Sequence, residues 1–172
     1  YRDVVGRFVE KEIEPFAHEW DEAGGFPREL YAKAAAIGLL GLGFPEEYGG
    51  IAADQFMKIV ASQALARAGA GGVSSSLMSH TIGSPPIARA TRPEVKAWVL
   101  PQVLSGEKIS ALAITEPGTG SDVAGIATRA RRQGDRYVLS GRKMFVTSGV
   151  RAGLLTVPAS DNCVTFVPAS AV

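Results

Sequence analysis

The sequence holds a single cysteine, Cys163, among 172 residues, which excludes an internal disulfide and a cysteine-rich zinc site. A surplus charge is missing too. Eighteen basic residues stand against 17 acidic ones, for a net charge of +1. No Lys/Arg run exceeds two residues, so the electrostatic footprint of a nucleic-acid binder is absent. Long hydrophobic runs are also lacking: residues 34–45 are the longest near-apolar stretch, and Gly38, Gly41, Gly43 and Pro45 interrupt them. That is too short for a membrane span of ~20 residues. No signal peptide, internal repeat or low-complexity tract is visible. What is present is 46% hydrophobic and 20% charged residues, a balance that argues against disorder. The length predicts one to one-and-a-half domains, burying roughly 70% of the unfolded surface. A soluble, intracellular, globular protein is expected. Because the chain opens in helical pattern at Tyr1-Arg2-Asp3-Val4, its true start is expected upstream.

The pattern changes near Ser110. Before it, apolar spacing is helical. Val5, Val9, Ile13 and Phe16, with Trp20 one turn on, form a stripe. Pro15 lacks the N–H that the helix needs, so one helix is expected to about Glu14 and a second to start at Pro15. Pro27 opens the next, with Leu30, Ala34 and Ile37 on one face. A glycine-rich loop follows, ending Pro45-Glu46-Glu47-Tyr48-Gly49-Gly50. Asp54 is the expected N-cap of a helix to about Ala68, with Phe56, Ile59, Val60 and Ala64 inward. Residues 71–84 suit a tightly packed buried helix, and Pro85-Pro86 starts another. Thr91 and Glu94 have capping-box spacing ahead of a helix carrying Val95, Trp98 and Val99. After Ile109 the period becomes two. Strands are predicted over residues 110–115, 126–131, 136–139, 143–147, 154–157 and 164–167, with turns at Gly134-Asp135 and Ser140-Gly141. The expected domains are residues 1–108, all-helical, and 109–172, a small β domain.

The stretch richest in chemistry is Ala113-Ile114-Thr115-Glu116-Pro117-Gly118-Thr119-Gly120-Ser121-Asp122. A strand runs into a loop of glycines and hydroxyl residues. Such a loop exposes backbone N–H groups with little side-chain bulk and suits close approach by a flat or phosphorylated ligand. By glycine content alone it is an ordinary turn. It has neither the Gly-Lys-Ser/Thr of a P-loop nor GxGxxG between a strand and a helix.

The order of its residues closely resembles the flavin-binding signature of the acyl-CoA dehydrogenase family, Thr-Glu-Pro-x-x-Gly-Ser-Asp. Three further segments resemble that family in the same order: the loop Pro45 to Gly50, Leu100-Pro101 with Ser105-Gly106-Glu107, and Gly141-Arg142-Lys143-Met144-Phe145-Val146-Thr147-Ser148-Gly149. The resemblance implies an α+β chain, with an N-terminal all-helical domain and a small antiparallel β-barrel-like middle domain. The family's C-terminal four-helix domain is expected to lie outside this sequence. It implies FAD as cofactor, held by Leu112, Ala113, Ile114, Thr115, Gly120, Ser121, Phe145, Val146 and Thr147. Thr115 would face the pyrimidine end of the ring, and Thr147 would lie near N5. Ser121 would lie near the pyrophosphate and also touch the acyl-CoA. Phe145 would cover a ring face where the family often has tryptophan. Thr119 replaces a usually smaller residue.

The implied reaction is α,β-dehydrogenation of an acyl-CoA thioester to the trans-2-enoyl-CoA, with hydride passing to flavin N5. Its implied partners are acyl-CoA and electron-transfer flavoprotein, in a homotetramer or homodimer, in a bacterial cytoplasm ahead of a mitochondrial matrix. The catalytic glutamate is expected in the C-terminal domain, so no catalytic residue and no metal ligand is assigned here. The short β region over residues 154–172 is expected to reflect truncation or joined segments. Two alternatives stay open: a non-catalytic flavin or acyl-CoA binding fragment, and a flavin oxidase or monooxygenase. Among the remaining candidates, His80 reads as a hydrogen-bonded packing residue, His18 as solvated surface and Cys163 as an inert strand residue. Arg129, Arg131 and Arg132 read as an exposed strand face, and Glu116 as a structural member of its loop.

Overall fold

The computed structural model describes residues 1–90, 92–160 and 163–168. It divides into two compact units, Tyr1–Lys108 and Ile109–Val172.

The first unit is helical. Its helices are α1 (Arg2–Glu12), α2 (Ala17–Glu22), α3 (Glu29–Ala36), α4 (Gln55–Ala66), α5 (Gly71–Leu77), α6 (His80–Gly83), α7 (Pro85–Ala90) and α8 (Pro93–Leu104). Val5, Phe8 and Val9 of α1, with Ile13 just beyond it, are buried. Their spacing of three and four residues puts them on one face, against α4. Pro15 acts as expected: the chain passes through a 3₁₀ turn, Glu14–Phe16, before α2 begins. Phe16 and Trp20 leave the core stripe and stack on each other, their ring centroids 5.4 Å apart.

In α4 the Asp54 carboxylate accepts from the Met57 N–H at 2.8 Å, the expected cap. The inward face differs from expectation. Ala61, Ala64 and Leu65 are buried, whereas Phe56 is 79% exposed. The apolar pattern is wide enough to allow two faces, and the small residues win because they let the neighbouring helix approach. Residues 71–84 form α5 and α6 rather than one helix. The chain enters α8 with Arg92 at the N-cap position and no side-chain cap bond; Thr91, the expected cap, lies outside the described residues. Pro101 sits inside α8 without ending it. In the loop ending at Gly50, a Cβ on that residue would lie 2.2 Å from the Phe44 carbonyl oxygen, so only glycine fits there.

The second unit contains β1 (Ser110–Leu112), β2 (Arg129–Gln133), β3 (Arg136–Ser140), β4 (Leu154–Ala159) and β5 (Cys163–Pro168). They form a three-stranded sheet in the order β1-β4-β5 and a separate hairpin, β2-β3. The expected antiparallel pairing holds for β2–β3 and β4–β5, with one exception: β1 pairs with β4 in parallel, Ser110 opposite Leu154. The described strands form two sheets and show no closed barrel. A parallel pair arises because the long segment from residue 113 to 153 crosses over between its strands. Ala113 and Val157 are buried together, with Leu139, Val146 and Leu155 packed against them.

Candidate flavin site

Immediately after β1 the chain folds back on itself. The Glu116 N–H donates to the Thr119 carbonyl at 3.0 Å and the Thr119 N–H returns to the Glu116 carbonyl at 3.1 Å. Pro117 and Gly118 form the corner. The Thr119 hydroxyl then donates to the Gly125 carbonyl at 2.9 Å. Thr119, larger than the residue expected there, is thus a brace across its own loop. Gly120 and Ser121 are exposed beyond it.

Glu116 is buried, at 7% exposure, and a buried carboxylate must be supplied with donors. Four reach it. The Ala127 and Thr128 N–H groups donate at 2.8 and 3.0 Å, joined by the Thr128 hydroxyl and, at 2.8 Å, the Lys143 ammonium. Lys143 and Thr128, followed by the Ala127 N–H, hold its carboxyl well below the usual range, at about 2. This capture also explains why β2 starts at Arg129 and not at residue 126: the carboxylate takes the N–H groups that a strand ladder would use. Alternation still governs the next residues, with Thr128 and Ala130 buried and Arg129 and Arg131 exposed.

Lys143 donates a second bond, to the Ile114 carbonyl at 3.0 Å, and the Met144 N–H donates to the Thr115 carbonyl at 2.9 Å. Residues 143–147, expected as a strand, form none. Phe145 and Ser148 instead have positive φ, 55° and 62°. For a bulky residue that is a strained conformation, costing roughly 1–3 kcal/mol, of the kind that gathers at functional sites. Phe145 is 83% exposed and Val150 fully so. Gly141 must be glycine, since a Cβ there would lie 2.2 Å from the Thr128 hydroxyl.

These segments bound an open groove of about 540 Å³, lined by Ala113, Leu139, Met144, Val146, Leu155 and Val157 together with Thr128, Gly141 and Lys143. Of the site residues expected from the sequence, Ala113, Phe145 and Val146 line it. Thr115 and Thr147 are not among the lining residues: the Thr115 carbonyl accepts from the N–H of the lining residue Met144, and Thr147 is exposed on the same segment. Leu112 and Ile114 are half-buried on either side of Ala113. Gly120 and Ser121 are not among the lining residues. Sequence reasoning missed Lys143 and Thr128. A carboxylate in a loop of small residues needs a cation, and that need was the signal available for Lys143.

The remaining candidates sit elsewhere. His80, 4% exposed, directs Nε2 at the Leu40 carbonyl at 2.8 Å. Burial pushes its imidazole down to about 4. His18, Arg129, Arg131 and Arg132 are exposed, and the side chain of Cys163 lies outside the described residues. Among the described residues no group of His, Cys, Asp and Glu could hold a metal ion, and no helix is long and apolar enough to cross a membrane.

A strand end opening into a glycine- and hydroxyl-bearing loop stands beside an apolar groove with a strained aromatic rim, a combination whose shape and chemistry suit a flat, partly polar ligand. The chain belongs to the acyl-CoA dehydrogenase family: residues 1–107 match its N-terminal domain and residues 111–167 its middle domain. It is 38% identical over 166 residues to the 3-(aryl)acrylate reductase of Clostridium sporogenes, covering 96% of this chain and 42% of that protein. Among solved structures, it resembles a candidate acyl-CoA dehydrogenase from Mycobacterium smegmatis, with a TM-score of 0.88, 46% identity and coverage of 92% and 42% of the two chains. It also resembles a glutaryl-CoA dehydrogenase of the same organism in complex with FADH2, with a TM-score of 0.87, 31% identity and coverage of 97% and 44%. The chain therefore spans less than half the length of these relatives.

Proposed function

We propose that this chain supplies the flavin-holding part of an FAD-dependent acyl-CoA dehydrogenase. The observation that carries the reading is the groove beside Thr115. Its floor is apolar, and the segments next to it bring hydroxyl and backbone hydrogen-bonding groups. An isoalloxazine asks for that combination, being flat and apolar at one end and hydrogen-bonding at the other. The solved relative in complex with FADH2 supports the same cofactor. Residues 112–115 and 145–147 would hold the ring, and Gly120 and Ser121 the phosphate-bearing part, with Ser121 also toward the acyl-CoA. Bound FAD would supply the hydride acceptor for oxidation of the Cα–Cβ bond of the thioester.

The residues of this chain would bind, orient and exclude water. Thr147 would offer its hydroxyl to the ring edge where charge develops, a position at which a fixed donor is most effective. Phe145 would shield the ring from water. The partners of Glu116 argue against it as the α-proton base: four donors saturate it, and a carboxyl held at about 2 is a very weak base for an α-carbon. His80 is committed to the Leu40 carbonyl. The base is thus proposed to come from other residues of the whole protein, as the family's C-terminal helical domain implies. Electron-transfer flavoprotein is the proposed electron acceptor, in a homo-oligomer. The Clostridium relative's description as a reductase favours one variation, in which the same site runs toward saturation of an enoyl substrate.

The test is anaerobic mixing of the FAD-loaded full-length protein with acyl-CoAs of several chain lengths. Flavin bleaching with enoyl-CoA formation is expected, and Thr147→Val should slow it far more than Ser140→Ala, which changes an exposed hairpin residue. A full-length protein that binds no FAD, or equal effects of the two substitutions, would overturn the reading.

A further inference from the structure

Residues 114–116 and 143–144 lie side by side without a β-ladder between them. Three bonds join them: Lys143 Nζ to the Ile114 carbonyl, the Met144 N–H to the Thr115 carbonyl, and Lys143 Nζ to the Glu116 carboxylate. Two of the three come from one ammonium. Glu116 is buried and Lys143 nearly so, with side-chain exposures of 7% and 11%. A buried ion pair is a poor source of stability, because desolvation cancels much of its attraction, but it does fix geometry. The geometry matters here. Residues 143–147 form no strand, and Phe145 turns to positive φ, so no β-ladder fixes how this segment lines up with residues 114–116.

We propose that Lys143 and Glu116 are positioning residues that set the register of residues 143–147 against residues 114–116, and so fix how Thr115 and Thr147 are spaced around the flavin. The inference rests on the flavin-site reading above and adds to it two residues whose role is to align the chain segments around the cofactor. Glu116 also carries the register further, because it grips Ala127 and Thr128 at the far end of the 117–125 loop. A single carboxylate therefore ties three stretches of chain into one frame. Thr128 in turn leaves no room for a side chain at residue 141, so the approach to Lys143 is fixed as well.

The experiment uses the full-length protein with FAD as probe and compares Lys143→Met, Lys143→Arg and Glu116→Gln. Three readouts are needed: FAD affinity, the flavin's visible absorption envelope, and kcat against KM for an acyl-CoA. Losing charge-assisted hydrogen bonds should weaken FAD binding by roughly tenfold or more in Lys143→Met. Its flavin spectrum should shift and kcat should fall while KM stays near wild type. Lys143→Arg should recover much of each effect, since a guanidinium can still donate to both the carboxylate and the carbonyl. A folded Lys143→Met protein with wild-type affinity and spectrum overturns the proposal. If that variant does not fold, Glu116→Gln decides: a shifted spectrum supports the proposal and a wild-type one overturns it. Failure of the wild-type protein to bind FAD would instead sink the flavin-site reading itself.

Discussion

His80 gives the helical unit an acid sensitivity that can be worked out in advance. The imidazole is 4% exposed, and burial pushes its pKa from 6.5 to about 4, although the carbonyls of Leu40 and Leu77 favour the charged form. The folded chain thus holds a neutral ring where the unfolded chain binds a proton from pH 6.5 downward. Stability from this group is intact above pH 6.5, falls as the pH drops, and is fully lost below about 4. At about 1.36 kcal/mol per pH unit, the loss is roughly 2 kcal/mol at pH 5 and about 3 kcal/mol in full. The comparison variant is His80→Gln, whose amide can still donate to Leu40 but does not titrate. Both tryptophans of the chain, Trp20 and Trp98, lie before residue 109, so denaturant unfolding followed by tryptophan fluorescence reads the helical unit. The stability gap between wild type and variant should shrink by roughly 2 kcal/mol from pH 7 to pH 5. A gap that stays constant with pH would refute the argument, because every other titrating group cancels in the difference.

Three more outcomes are expected. The Glu116 carboxyl, held at about 2 against an ordinary 4.5, contributes stability that is present above pH 4.5 and lost as the pH falls toward 2; acid release of FAD should follow that window and flatten in Glu116→Gln. Gly141→Ala should destabilise the second unit by about 1–3 kcal/mol in denaturant titration, as overpacking does, because its Cβ meets Thr128. Gly118→Ala, with nothing within 4 Å of its Cβ, should not. Thr119→Val should lose about 1 kcal/mol by removing the hydroxyl bond to Gly125, whereas Thr119→Ser should keep it.

Where periodicity decides, the sequence was readable. The stripe of Val5, Val9 and Ile13, the Asp54 cap and the change of pattern after Ile109 all rest on local geometry, and each has its counterpart in the structure. The loop of Thr115 to Ser121 was legible through the order of its residues. What failed was what depends on distant partners. Phe56 looks inward until the packing around α4 is known, which buries Ala61, Ala64 and Leu65 instead. Residues 143–147 alternate like a strand, yet the Met144 N–H answers to the Thr115 carbonyl, the Val146 carbonyl accepts from the Gly149 N–H, and φ at Phe145 turns positive. The parallel pairing of β1 with β4 depends on a crossover of about 40 residues that no local pattern announces.

The frame around Glu116 also bears on the order in which the second unit assembles. Glu116 and Lys143 are 27 residues apart in the chain, and closing a loop of that size carries an entropic cost that grows with its length. The hairpin between them shortens the effective path. It can zip from Gln133 opposite Arg136 up to Arg129 opposite Ser140 using neighbours alone, a microsecond event in isolation. Once zipped, it leaves Thr128 and Gly141 as adjacent ends, with Glu116's hydroxyl donor on one and its ammonium donor two residues beyond the other. The carboxylate then has one short loop to close instead of a long one. Substitutions at the exposed positions of the β2–β3 hairpin, such as Arg131 or Tyr137, should therefore slow formation of the groove although neither residue lines it.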